Sequence, residues 1–205
     1  MNIEIVPCKQ KELPYQVFLE VEDERYLTQA YELSKLFTDC SNENRIIDFE
    51  LAKAQIKAEP GLAIIATLNV ELNKQYQALS MLTSDIAGQL TAQDSFGIFD
   101  KQRLQTIVAH AFCDLDKQKD QPWFGYSETE TNQGNHAHYQ YNFLVISQSD
   151  RTGPLMAVSL LSIEVEIENN SHSIFSQPDK PDALTIDSDK IDIKLKGLQA
   201  VRQLS

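Results

Sequence analysis

The chain is poor in the residues from which most binding and catalytic motifs are built. Seven glycines in 205 residues leave no G-x-G-x-x-G and no G-x-x-x-x-G-K-[ST] loop, so neither a dinucleotide cradle nor a P-loop is encoded. Three cysteines, Cys8, Cys40 and Cys113, stand far apart without a C-x-x-C pair, which argues against a zinc site and a disulfide framework and leaves reduced thiols. Basic residues are scarce too: 18 Lys and Arg against 30 Asp and Glu give a formal charge of -12. Phosphate backbones need a basic surface that releases counterions, so no nucleic-acid partner is expected. Anionic lipid should repel the chain as well, leaving zwitterionic lipid as the favoured membrane surface. No apolar run approaches the roughly 18 residues of a spanning helix. The start, MNIEIVPCKQKE, has no basic region followed by an apolar one, so no cleaved signal is expected. The product is expected to be made as a soluble cytoplasmic protein and to leave the cell by lysis or an unconventional route.

Four histidines complete the inventory. His110 and Asp114, one helical turn apart, are a candidate acid/base pair, but no nucleophile motif such as G-x-S-x-G accompanies them. His136 and His138 can place two imidazoles on one strand face, yet no thiol or carboxylate motif stands beside them, so they read as surface residues and no metal or cofactor is expected. The acidic run from Asp114 to Asp120 lacks the glycine of a calcium loop and carries Lys117 and Lys119, so it reads as solvated surface.

What is abundant is strand, concentrated from Tyr139 to Glu168. Tyr139 to Gln148 is aromatic and β-branched on both faces apart from Asn142 and its Gln and Ser positions, which predicts a strand covered on both sides. In the second arm Ile163, Val165 and Ile167 alternate with Glu164, Glu166 and Glu168, so one face is buried and the other wet. Ser149 to Pro154 supplies the turn. The fourteen residues from Leu155 to Glu168 extend roughly 46 Å at about 3.3 Å each. Tilted by about 45°, that strand rises roughly 33 Å, enough for a hydrocarbon core of about 30 Å. A half-buried strand of a soluble sheet carries the same alternation, so the pattern permits spanning without requiring it.

Around this hairpin, Asn2 to Val6 and Tyr15 to Glu22 read as extended segments between prolines. The period then changes: Leu27, Ala30, Tyr31, Ser34 and Phe37 predict a first helix, and Ile46 to Ala58 a second that stops before Pro60. Leu62 to Thr91 reads as the longest helix, on Ile65, Leu68, Leu72, Leu79, Leu82, Ile86 and Leu90, and Asp100 to Asp116 as its hairpin partner. Asn169 to Asp182, with two prolines, reads as a loop. Leu184 to Asp187 and Lys190 to Lys196 read as the last strand, and Gly197 to Leu204 as one or two helical turns. The sum is an α/β sandwich of the α+β type, with two helical hairpins flanking a largely antiparallel sheet of long strands in a single domain over residues 1–205.

The blocks AFCDLDKQKDQPWF and YQYNFLVISQSDRTGPLMAV resemble the bacterial Cyt δ-endotoxins, which carry a like-spaced L-D-x-Q-x-D-x-x-W and then Y-Y-Y-N-x-L-F-x-I-Q-x-x-D-T-G-x-x-M-A. Leu115, Asp116, Gln118, Asp120, Trp123, Tyr139, Tyr141, Asn142, Gly153, Met156 and Ala157 stand at matching positions. The C-terminal KIDIKLKGLQAVRQL is similar to the family's last strand and helix. Weaker similarity extends over the two early helices and the start of the long helix, including Ala66 to Asn69, while Met1 to Val21 and the middle of the second helical hairpin show no recognisable resemblance.

The resemblance implies a cytolytic, insecticidal pore-forming protein that binds lipid such as phosphatidylethanolamine directly, self-associates and permeabilises the bilayer without enzymatic chemistry or a cofactor. Family protoxins carry end extensions that this chain lacks, so activity without proteolytic trimming is expected. Candidate lipid-contact residues are Val145, Leu155, Ile163, Val165 and Ile167, with Trp123 and Tyr141 as packing or interfacial anchors. A second reading from another class is a non-lytic lipid- or acyl-binding virulence factor, with Cys40 or Cys113 as the acylated thiol.

Overall fold

The computed structural model of the chain describes residues 13–76, 78–94, 97, 101–111, 118–131, 134–149, 153–169 and 190–204. Among them are six strands and four α-helices: β1 (Gln16–Val21), α1 (Leu27–Leu33), α2 (Phe49–Ala58), β2 (Leu62–Lys74), α3 (Leu79–Ala92), α4 (Lys101–Ala111), β3 (Phe124–Thr131), β4 (Gly134–Gln148), β5 (Leu155–Asn169) and β6 (Lys190–Gln203). The segments expected as strands at Asn2 to Val6 and Leu184 to Asp187, and the proline-containing loop between Asn170 and Asp182, lie outside the described residues.

The sheet runs β1-β4-β5-β6-β2, with β3 also pairing β4. Two strands share one side of β4: β1 lies parallel to residues Phe143 to Gln148, and β3 antiparallel to residues Gly134 to Tyr141. All remaining pairings are antiparallel. The expected α/β sandwich with two pairs of helices around long strands is therefore observed.

Two expectations are corrected. Leu62 to Thr91 is not one helix, because its first part is the edge strand β2. Leu68 and Leu72 are spaced for a helix or a strand alike, but Val70 between them, flanked by Asn69 and Glu71, completes a period of two, and Leu68, Val70 and Leu72 pack into the core. Likewise, residues from Gly197 onward are not helical but continue β6 to Gln203. Leu198 and Ala200 are buried on one side while Val201 packs on the other, so burial on both faces conceals the alternation. Gly197 has a packing reason: a Cβ there would lie 2.6 Å from Leu161 Cδ2 and 3.2 Å from Leu68 Cβ. β3 has no apolar alternation to announce it, since its second half, Ser127 to Thr131, is polar throughout.

Each face of the sheet has its own core. On one, Tyr139, Tyr141, Phe143, Val145, Leu161, Ile163, Val165, Ile167, Ile191, Ile193 and Leu195 meet Leu82, Ile86 and Leu90 of α3 and Leu104, Ile107, Val108 and Ala111 of α4. On the other, Leu144, Ile146, Met156, Val158, Leu160, Leu198 and Ala200 meet Ala30 and Leu33 of α1 and Ala52 and Ile56 of α2. A register shift between Ile64 and Ala66 of β2 switches the faces, so that Leu62 and Ile64 lie in the α1–α2 core while Leu68, Val70 and Leu72 lie in the α3–α4 core. The α1–α2 core ends at Leu144 and Leu160. Beyond it that face is polar, carrying Asn142, Gln140 and His138 on β4, Ser162, Glu164 and Glu166 on β5, and Asp192, Lys194 and Lys196 on β6.

Candidate functional site

β4 and β5 are 15 residues each, or roughly 50 Å of extended chain at about 3.3 Å per residue. Their register runs from Asn135 opposite Asn169 to Ser147 opposite Ala157. The odd-numbered positions make a nearly continuous apolar face, and it is this face that α3 and α4 cover. Val145, Ile163, Val165 and Ile167 are all in that core, at most 2% exposed. Leu155 is partly buried at the turn end of β5. The first four are hidden from solvent as the chain stands, so their contact with lipid would require the covering helices to leave.

An aromatic row crosses the same face. Tyr139 packs against Phe124 and Tyr126, with ring centroids 6.4 and 5.0 Å apart. Tyr141 stacks on Phe143 at 5.5 Å, and Phe143 meets Phe18 of β1 edge-on at 6.3 Å. Tyr141 is buried, which pushes its phenol pKa up, and its hydroxyl donates to Gln16 Oε1. It is a packing residue in this state. Trp123 is partly buried against the same core, and its carbonyl accepts from Asn142 N at 2.9 Å.

The remaining motif residues are divided among different tasks. Asn142, fully buried, donates through Nδ2 to Arg45 O at 2.7 Å and to Pro14 O at 3.3 Å. Gln140 donates to the same Arg45 carbonyl at 3.1 Å. Arg45 holds a left-handed backbone, φ 63°, and its guanidinium donates to Phe124 O. The loop between α1 and α2 is thus clamped to β3 and β4 through backbone atoms, a tie that residue type alone does not announce. Gln118 donates to His110 O at 2.8 Å, and Asp120 is exposed. Gly153 takes φ 57° in the β4–β5 turn, a conformation that favours glycine. Met156 and Ala157 lie in the two opposite cores. Leu115 and Asp116 lie outside the described residues.

The two helical covers are tied down differently. α1–α2 has the Asn142 clamp, a bond from Tyr15 OH to Ser34 O at 2.9 Å that is itself buried, and an Arg202–Glu59 ion pair. Asp48 caps α2, accepting from Glu50 N and Leu51 N. The α3–α4 cover is pinned through more exposed charges: Lys74 Nζ to Asp85 at 2.7 Å, with side chains 51% and 40% exposed, Tyr76 OH to Asp85 at 3.1 Å, and Arg103 to Glu20 at 3.0 Å. α3 begins at Ala78 with no side-chain cap. Exposed pairs of this kind contribute about 0 to 1 kcal/mol each, so apolar contact supplies most of the attachment of this layer.

Groups with reactive potential are dispersed. His110 is exposed on α4, and its expected partner Asp114 lies outside the described residues, as do Cys8 and Cys113. Cys40 is fully buried, and burial, with nearby Asp48 and Asp39, pushes its thiol up to about 11. Among the described residues, His138, Glu164 and Glu166 bring their ligand atoms within 4.8 Å of one another. No helix among the described residues is long and apolar enough to cross a membrane.

Residues 6–205, nearly the whole chain, match the family described as Bacillus thuringiensis toxin. The chain belongs to that family. Within it the relatives are Cyt-like. The type-2Aa cytolytic delta-endotoxin of Bacillus thuringiensis subsp. kyushuensis is 27% identical over 189 residues, covering 88% of this chain and 68% of the relative. The type-2Bb cytolytic delta-endotoxin of subsp. jegathesan is 24% identical over 185 residues, covering 88% and 66%. The chain therefore spans about two thirds of the length of these relatives. In fold, a delta-endotoxin structure superposes with a TM-score of 0.74 at 24% identity, covering 100% of this chain and 88% of that one. The activated Cyt2Ba monomer from subsp. israelensis superposes at 0.70 with 19% identity, covering 94% and 99%. This is a Cyt-like toxin with the corresponding mixed α/β fold.

Proposed function

We propose that this Cyt-like toxin acts on the lipid bilayer itself as a cytolysin, with insect cells as its first candidate target. It works as one domain over residues 1–205, binds zwitterionic lipid, self-associates on the membrane and permeabilises it without a catalytic step or a cofactor. The observation that supports this reading is the apolar face of β4 and β5, long enough to cross a hydrocarbon core yet hidden under a helical pair whose polar ties are exposed. Water favours the covered arrangement because the sheet face and the helices bury each other's apolar surface. Lipid favours the uncovered one because acyl chains can take the place of the helices, and the equilibrium moves by the difference in affinity between the two states. On this reading α3–α4 leaves first, while α1–α2 stays clamped through Asn142 and Tyr15.

The cytolytic names of the two relatives support the same reading. One observation weighs against acylation at Cys40: that thiol has no exposed surface. The test is release of an entrapped dye from phosphatidylethanolamine-containing vesicles by the untreated chain, beside phosphatidylserine-rich vesicles as the anionic comparison. Release that is dose-dependent and faster from the zwitterionic set is expected. Binding to those vesicles with no release would overturn the lytic reading in favour of a lipid-binding module.

A further inference from the structure

The uncovered half of the sheet carries an arrangement that the lytic reading does not use. His138 on β4 stands directly opposite Glu166 on β5, and Glu164 points from the same face two residues away. His138 Nε2 nevertheless lies diagonally across, 3.1 Å from Glu164 Oε1. One donor atom from each of the three residues lies within 4.8 Å of the other two. All three side chains are about one-third exposed, so they are open to a solute while their backbones are fixed by ladder bonds to both neighbouring strands.

We propose that His138, Glu164 and Glu166 form a binding site for a divalent transition cation, with Zn²⁺ as the natural occupant. The donor set decides the class of ion: one imidazole nitrogen and two carboxylate oxygens suit Zn²⁺, whereas Ca²⁺ and Mg²⁺ prefer oxygen alone. With bonds of about 2.0 to 2.1 Å in tetrahedral geometry, ligand atoms sit roughly 3.3 Å apart. The three donors reach that spacing by side-chain adjustments of about an ångström, and water takes the fourth position.

Lys194 strengthens the case. Its ammonium lies 3.6 Å from Glu166 and 4.0 Å from Glu164, too far for a hydrogen bond, so it sits beside the carboxylates as a loosely held cation. Being 40% exposed, it is free to swing into solvent when a dication replaces it. Among the described side chains, the other charged or titratable groups on this face are His136 and Glu168 beside the pair, with Asp192, Lys196 and Glu71 across β6 and β2. Asp192 is engaged by Asn73 at 2.6 Å. A bound ion would tie β4 to β5 across 26 to 28 residues of sequence on the side that α1–α2 leaves open. The inference is independent of lysis.

The experiment uses the untagged full chain, stripped with a chelator, and Co²⁺ as a spectroscopic stand-in for Zn²⁺. Expected are visible d–d bands that saturate at one ion per chain, no thiolate charge-transfer band, displacement by Zn²⁺, and no competition from Mg²⁺. At about a hundredfold excess over Kd, the melting temperature should rise by about 5 to 10 °C. His138→Ala should weaken binding by more than about 100-fold, since even the groups that merely support metal ligands are worth about 10- to 100-fold. The near-isosteric Glu166→Gln guards against misfolding and should also weaken it. Lys194→Gln should tighten it by about tenfold, from removal of one positive charge about 5 Å from a dication in a high-dielectric setting. Absence of a d–d spectrum would mean that the cluster is only a histidine–carboxylate ion pair and would overturn the assignment. So would binding that survives both His138→Ala and Glu166→Gln.

Discussion

Replacing Asn142 by leucine tests the clamp between the α1–α2 loop and the centre of the sheet. The side chain is fully buried, and leucine fills a comparable volume, so the change removes hydrogen bonds without opening a large cavity. Two donated bonds disappear, to Arg45 O and Pro14 O, each contributing about 1 kcal/mol net. Arg45 O keeps its bond from Gln140. Pro14 O is left buried without Asn142, at a cost of about 1 to 2 kcal/mol more. Against this, Asn142 Oδ1 is itself buried without a partner, and removing it returns about 1 kcal/mol.

The net loss is therefore about 2 to 3 kcal/mol. For a chain of this size it lowers the melting temperature by about 5 to 10 °C. Urea unfolding followed by the fluorescence of the single tryptophan, Trp123, measures it directly, because Trp123 O accepts from Asn142 N. Gln140→Leu alone should cost less, since Arg45 O keeps its shorter bond. The double substitution should cost more than the two single losses added, since only then does that carbonyl lose both donors. A loss below about 0.5 kcal/mol for Asn142→Leu, with additive behaviour in the double variant, would refute the clamp; ordinary surface substitutions fall within that limit.

Two further outcomes follow from the same geometry. Lys74, and after it Tyr76, holds the Asp85 carboxyl below its ordinary value by hydrogen bonding; a folded-state pKa depressed in this way adds stability that is complete above the unfolded carboxylate pKa and is lost as pH falls through the folded one. The melting-temperature advantage of the wild type over Asp85→Asn should therefore be constant from neutral pH down to about 4 and shrink below it, and an advantage that persists undiminished to about pH 2 would contradict the pin. Val165→Lys puts a charge at a fully buried position and should cost more than about 3 kcal/mol, whereas Glu166→Gln on the open face should stay within about 1 kcal/mol; circular-dichroism melts of the two variants compare them, and similar losses would place the apolar face wrongly.

Much of this architecture is legible in the chain because the long strands advertise themselves. Ile163-Glu164-Val165-Glu166-Ile167 alternates without interruption, and only one face can be buried. α1, α2 and α4 show clear helical spacing, and the Cyt-like motif around Trp123 and Tyr139 marks the family. Where the reading fails, two periods coincide or two faces are buried. Leu68 and Leu72 suit a helix as well as β2, and Gly197 to Gln203 is apolar on both sides because both cores meet there. The ties between layers are not legible in the sequence for another reason. Arg45 acts through its backbone carbonyl and a left-handed φ, and Asn142 through a partner 97 residues away. His138 gains its carboxylates only from the register of β4 on β5. The lysine–aspartate pin joins residues 11 apart, but its geometry exists only once Leu62 to Lys74 is known to be a strand.

The central claim is that α3–α4 must leave the sheet before the bilayer fails, and a reversible tether tests it most directly. Lys74→Cys and Asp85→Cys, in a background with Cys8 and Cys113 replaced by serine, place two thiols across the 2.7 Å ion pair, to be joined by a short disulfide-containing crosslinker. The joined protein should bind zwitterionic vesicles yet release no dye, and reductant should restore release to the level of the unjoined variant. Full release by the tethered form before reduction would contradict the uncovering of β4 and β5.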